Sequence, residues 1–230
     1  MLFESTPLTA SRSGNAHHRV VRSVLKRYIG EDRSFLESRG QNQVPRFLLN
    51  DLTRYWRTLC VDFAYKVRDR GGKGSALRNI KLRMSRKLLF ASGLLGCFGC
   101  VPGILRATKE CDCSDGKCAN TEECVACLER TLEESPLDRL AGAVLCLADD
   151  SSSQEALATG KSIFNAYDEF LGMLNDEQDR QALKDSTPFD NNPTFNRARK
   201  LAHEFRDSLQ TLFFETNPKL SNLTKMYRVF

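Results

Sequence analysis

The sequence predicts an all-α protein, a helical bundle of about seven helices with a cysteine-rich loop insertion. Three observations carry that expectation. Apolar residues recur at the helical period in every patterned segment, and no alternating strand pattern is found. Helix-start signals, Pro45 and the Ser135–Pro136 pair among them, fall where those patterns begin. Seven of the 9 cysteines crowd into the stretch from Cys97 to Cys127.

Taken in order, HHRVVRSVLKRYI (17–29) gives a first helix whose apolar stripe is Val20, Val21, Val24, Leu25 and Tyr28. A polar loop follows through Asn42, and a second helix runs from Pro45 to about Arg70. Wound at about 100° per residue, that helix puts Leu48, Leu52, Trp56, Leu59, Cys60 and Phe63 on one side. Asn50, Arg54, Arg57, Thr58 and Tyr65 fall on the other. The apolar side must bury itself, and the arginine side faces either water or a ligand.

GGKGS (71–75) breaks the second helix and reads as a flexible connection. The spacing G-x-x-x-x-G-K-[ST] is absent and no strand precedes it, so it is not a phosphate loop. The third helix, ALRNIKLRMSRKLLFASGLL, interleaves Arg78, Lys81, Arg83, Arg86 and Lys87 with apolar residues and then becomes apolar almost all round. Its cations therefore sit at the mouth of a buried element, where charges need partners. Lys81, Ser85 and Ser92 share one side, Arg83 and Lys87 another, and Arg86 lies between Arg78 and Arg83. An anion is one candidate partner; Asp51 and Asp62 are the other.

Further helices are read over 121–133, over SPLDRLAGAVLCLA with Ser135 as N-cap, and over SSSQEALATGKSIFNAYDEFLGML with Phe164, Tyr167, Phe170, Leu171 and Leu174 inward. A turn containing DSTPFDNNP leads to PTFNRARKLAHEFRDSLQTLFF, and the tail TNPKLSNLTKMYRVF forms a short, loosely attached helix.

The 230 residues are 41% hydrophobic and 27% charged, the composition of a soluble globular protein of one large or two small domains. MLFESTPLTASRSG lacks the apolar core of a secretory signal, and LLFASGLLGCFGC is too short to span a bilayer. No membrane association and a cytoplasmic location are expected. The net charge of +5 conceals an imbalance. Residues 1–110 carry 21 Lys/Arg against 8 Asp/Glu, a net +13, and residues 111–230 carry 13 against 21, a net −8. Lys66 to Lys87 alone holds nine cations opposed by Asp69. The basic block is an electrostatic footprint for phosphate or an acidic partner, unless the acidic half neutralises it. The organisation expected is a basic helical half (1–108), a cysteine-rich connection (109–127) and an acidic helical half of the same bundle (128–230).

Within the cysteine segment, CFGC and CVAC have the spacing at which two thiolates chelate one metal, and two such pairs make a tetrahedral Zn²⁺ site. The candidate ligands are Cys97, Cys100, Cys111, Cys113, Cys118, Cys124 and Cys127, not all of them together. Against this, CFGC ends an apolar helix, where cysteine serves as a small hydrophobe. Cys60 and Cys146 read as core residues, and no nucleophile constellation involves His17, His18 or His203.

PRFLLNDLTRYWRTLCVDFAYK followed by ALRNIKLRMSRKLLFASGLL resembles a family of predicted bacterial nucleotidyltransferases of the DNA polymerase β-like superfamily, and the resemblance extends to LFESTPL, SPLDRLA and AYDEFLGML. It covers most of the chain and implies the helical region that follows the catalytic domain. Members of that superfamily carry a G-S motif and a D-x-D pair whose carboxylates hold Mg²⁺ against the triphosphate. This chain has no D-x-D, and Gly74–Ser75 leads into a basic helix. MLFES resembles the point just past the catalytic sheet, so the chain is expected to be a truncated product, an isolated domain or a relative without its catalytic half. No catalytic residue is assigned, and Mg-nucleotide is implied only with a catalytic domain, separate or upstream. The accessory role carries over to Asn50, Asp51, Arg54, Arg57, Lys81, Arg83, Ser85 and Arg86 as nucleotide- or phosphate-binding positions. The function expected is the helical nucleotide- or substrate-binding portion of a nucleotidyltransferase-like protein, not catalytic alone. The alternative is a non-enzymatic nucleic-acid or protein interaction module using the basic 66–87 block.

Overall fold

The computed structural model describes residues 16–32, 35, 44–69, 71–72, 74–101, 103–105, 120–149 and 153–227. Among them every regular element is helical: α1 (Ala16–Glu31), α2 (Arg46–Asp69), α3 (Ser75–Lys81), a π turn (Leu82–Arg86), α4 (Lys87–Phe98), α5 (Thr121–Glu133), α6 (Pro136–Asp149), α7 (Ser153–Asn175), α8 (Glu177–Asp185), α9 (Pro193–Phe214) and α10 (Pro218–Tyr227). Residues 75–98 form one continuous helix, so the described residues make nine helices, against the expected seven or so.

Helix α8 is the one that falls on no segment read as helical from the sequence. Asp176 caps it, its side chain accepting from the Asp179 N–H at 2.8 Å, and Glu177 and Asp179 occupy the first turn, where carboxylates suit the helix dipole. Its buried residue is Leu183, so it has no apolar stripe to advertise it. The tail also departs from expectation. Leu220 and Leu223 are buried in α10, and Asn217 caps it by accepting from the Lys219 and Leu220 N–H groups, which attaches the segment firmly.

The chain divides into two compact units, Met1–Arg54 with Leu89–Ser151, and Tyr55–Leu88 with Ser152–Phe230. In the first, α1 packs on α5. Val21, Leu25 and Ile29 form the buried stripe, while Val20, expected inward, is 61% exposed. Polar cross-links join the same pair: Arg22 bonds to Glu129 and, at 2.8 Å, to Glu122, which Lys26 also meets at 2.8 Å. Ser135 caps α6 as expected, its hydroxyl accepting from the Asp138 N–H at 3.1 Å. Arg139, in the next turn, is 1% exposed. Its guanidinium donates to the Thr131 and Glu134 carbonyls at 2.9 and 3.0 Å and to the Ser92 hydroxyl at 2.6 Å.

In the second unit α9 is the central element, packing on α7, α8, α10, α3 and the π turn. Its buried stripe is Phe195, Ala198, Leu201, Ala202, Phe205, Leu209, Leu212 and Phe213. On α7 the inward side includes Ile163, Ala166, Tyr167, Phe170 and Met173, while Leu171 is exposed and Phe164 and Leu174 are half-buried. Three glycines follow α2. Gly71, Gly72 and Gly74 have φ of 55°, 82° and 63°, values open to glycine, and a Cβ on Gly74 would lie 3.4 Å from the Lys184 carbonyl oxygen. The Ala76 N–H donates to the Ser186 carbonyl at 3.3 Å, fastening the start of α3 to the end of α8.

Candidate anion-binding site

The 75–98 helix enters the second unit through the buried stripe Ile80, Met84 and Leu88, spaced one helical turn apart. Arg83 and Lys87 flank that stripe and are half-buried as a result. Between them the backbone widens into the π turn, with the Lys87 N–H donating to the Leu82 carbonyl five residues back. Such turns are rare and recur at functional sites.

The facing helix α9 borders its buried stripe with Arg199, His203 and Arg206, at i, i+4 and i+7 on one edge. Arg199 and Arg206 are exposed, and His203 is half-buried. Burial holds the Arg83 guanidinium below its ordinary pKa, and the charges of Arg206 and Arg199 push it the same way. The Lys87 ammonium is likewise lowered, first by burial, then by Arg206 and Arg83, with Asp207 opposing. Asp207 is itself engaged by Arg206, whose Nε donates to Oδ1 at 2.7 Å. The π turn that carries Arg83 and precedes Lys87 thus packs on the helix that carries Arg199 and Arg206. Among the described residues no carboxylate lies within ion-pair distance of Arg83 or Lys87.

The sequence-derived binding residues distribute as follows. Asn50 and Arg54 belong to the first unit; both are exposed, and Arg54 faces Asp51 at 3.7 Å. Arg57, Lys81, Arg83, Ser85 and Arg86 belong to the second, where Arg57, Lys81 and Arg86 are exposed and Arg83 and Ser85 half-buried. The Tyr167 hydroxyl lies 3.5 Å from that of Ser85. Ser92 is buried and serves Arg139. The candidate acidic partners are occupied elsewhere: Asp51 accepts from the Tyr28 hydroxyl at 2.6 Å, and Asp62 pairs with Lys66 at 2.7 Å. Arg199 and Arg206 were not legible as site residues. Their i, i+7 spacing with His203 between is the signal that marks them as one edge.

Cys97, Cys100, Cys124 and Cys127 are buried in the first unit, while Cys111, Cys113 and Cys118 lie outside the described residues. Burial pushes the Cys97 thiol above its ordinary pKa, with the Arg139 charge opposing. Among the described residues no group of three or more His, Cys, Asp or Glu side chains is placed to hold a metal ion. No described helix is long and apolar enough to cross a membrane.

No protein-family model matches the chain. No curated protein and no solved structure matches it significantly.

Proposed function

We propose that this chain is a helical phosphate-binding module, the nucleotide- or substrate-binding portion of a nucleotidyltransferase-like protein, that transfers nothing by itself. The observation that carries the reading is that Arg83 and Lys87 are half-buried with no carboxylate partner among the described residues, beside a π turn packed on the helix that bears Arg199 and Arg206. Half-burying unpaired cations costs free energy, and a bound phosphate offsets that cost. Arginine suits the role because its planar fork meets two phosphate oxygens at once.

That the chain transfers no nucleotide alone is expected from its sequence, which has no D-x-D pair to hold Mg²⁺ against a triphosphate. A partner of this module is therefore a nucleotide or nucleic-acid phosphate, and a catalytic nucleotidyltransferase domain acting with it. The second reading, a nucleic-acid or protein interaction module, is favoured by the exposed flank of α2, where Arg57, Tyr65 and Arg68 stand in the solvent.

Calorimetric titration with ATP and with a short single-stranded oligonucleotide tests both. Saturable ATP binding that is lost in Arg83→Gln and Arg199→Gln supports the first reading. Oligonucleotide binding that survives those substitutions and is lost in Arg57→Gln/Arg68→Gln supports the second instead.

A further inference from the structure

The outward side of α2 in the second unit carries Arg57, Val61, Tyr65 and Arg68, all exposed. At the helical period they share one stripe, about 80° wide and about 16 Å long. Val61 is 68% exposed and Tyr65 65%, so an aliphatic side chain and an aromatic ring stand in water between the two arginines. Among the described residues neither arginine has an ion pair or a hydrogen bond. Tyr65 has neither a ring contact nor a partner for its hydroxyl among them. Beside the stripe, Lys66 is paired with Asp62 at 2.7 Å, and Asp69 lies about 100° round the helix from Arg68. The Gly71 and Gly72 N–H groups donate to the Arg68 and Val67 carbonyls at 3.3 and 2.9 Å, which closes the last turn of the helix beneath Arg68.

We propose that this stripe is a stacking platform for single-stranded nucleic acid, with one unpaired base on the Tyr65 ring and phosphates on Arg57 and Arg68. This rests on the second reading above, a module that binds nucleic acid or protein through α2, and names both the partner and the strand type. Every base has a π face, so an exposed aromatic ring binds one without reading its edge. In a duplex those faces are already stacked on neighbouring pairs, and Tyr65 has nothing to meet. The guanidinium forks of Arg57 and Arg68 suit phosphate oxygens, one at each end of the stripe. Val61, one turn from Tyr65, gives the base or its sugar an apolar floor. An acidic protein segment would answer the same charges. Two exposed apolar side chains, however, bury far less than the roughly 800 Å² per partner of a stable protein interface.

The test is fluorescence anisotropy on the full chain with a short labelled oligothymidylate, the same strand annealed to oligoadenylate, and a strand of abasic units with the same phosphates. The oligothymidylate should bind about tenfold more tightly than the abasic strand, the effect of one base on an aromatic ring. It should also outbind the duplex, despite the duplex's greater charge density. Tyr65→Ala should remove the tenfold and leave abasic binding unchanged, while Tyr65→Phe should keep it. Arg57→Gln/Arg68→Gln should weaken binding of all three probes and make its salt dependence shallower. Oligothymidylate bound no better than the abasic strand, or no better than the duplex, overturns the platform but leaves α2 as a phosphate-binding face, so the second reading survives. An advantage over the abasic strand that persists in Tyr65→Ala overturns the platform as well. Binding of none of the three probes sinks the nucleic-acid reading of α2 together with this inference.

Discussion

The Arg139 guanidinium donates to the Ser92 hydroxyl at 2.6 Å inside the first unit, and it does so while 1% exposed. Its other donors meet the Thr131 and Glu134 carbonyls at the end of α5. Burial lowers its pKa to about 10, with Glu134 and Cys97 opposing, so it stays charged at neutral pH. Arg139→Ala therefore removes three buried hydrogen bonds and leaves a cavity, which should cost about 3 kcal/mol. Arg139→Lys should recover only part of that, because an ammonium cannot reach three acceptors spread across a planar fork. Urea denaturation checks both, and an unchanged midpoint in Arg139→Ala would show the network to be idle.

In the same unit, the Tyr28 hydroxyl donates to Asp51 at 2.6 Å. Burial, and then Asp51, raise the phenol's pKa from 10.0 to about 12. The unfolded phenol ionises near 10, so this contribution to stability is complete below pH 10 and is lost as pH rises toward 12. Ultraviolet titration should show one late tyrosine, and Asp51→Asn should bring it down toward the ordinary range. Were all tyrosines to titrate together near 10, the hydrogen bond would not persist in solution.

How much of this was legible beforehand depended on whether it was a local property. The faces of α2 were: Leu48 and Leu52 are buried, and Asn50, Arg54, Arg57, Thr58 and Tyr65 are exposed. Their depth was not, because Trp56, Leu59, Cys60 and Phe63 are only half-buried, and period gives direction without saying what covers it. Helix α8 was missed since one buried leucine makes no stripe. The tail's attachment was missed because it depends on Asn217 meeting the next two N–H groups, a cap rather than a pattern. The cations of the 75–98 helix were visible as a block. That the π turn packs on the helix of Arg199 and Arg206 was not, since those arginines lie more than 110 residues further along, and periodicity does not say which helices become neighbours.

The corner at Gly74 has φ of 63° and the Lys184 carbonyl 3.4 Å from where a Cβ would stand. Gly74→Ala should destabilise by about 1–2 kcal/mol, the cost of a left-handed residue with a Cβ. Gly30, with open space around it, is the control: Gly30→Ala in α1 should be neutral or stabilising. Thermal melts of the two variants should move in opposite directions.

The cysteines remain a separate question that metal analysis answers. If Cys111, Cys113 or Cys118 joins the buried thiols around Zn²⁺, protein purified without added metal should hold about one equivalent, and a chelator should lower its melting temperature. Metal-free protein of unchanged stability would leave the buried Cys97, Cys100, Cys124 and Cys127 as apolar core residues.

Asp207 supplies the sharpest test of the anion site, because its effect has the opposite sign to that of the cations. It opposes the lowering of the Lys87 pKa and is bonded by Arg206, so on the proposed reading it offsets positive charge that a phosphate would meet. Asp207→Asn removes one negative charge, so ATP should bind more tightly than to the parent. Arg83→Gln removes one positive charge and should weaken binding by about tenfold, the loss of a charge-assisted contact. Raising salt should weaken the parent complex and shrink the gap between parent and Asp207→Asn, since the same Coulomb attraction underlies both. Asp207→Asn weakening ATP binding would instead mean that the carboxylate positions Arg206 for the phosphate. Binding unaffected by either substitution would place the anion elsewhere on the protein.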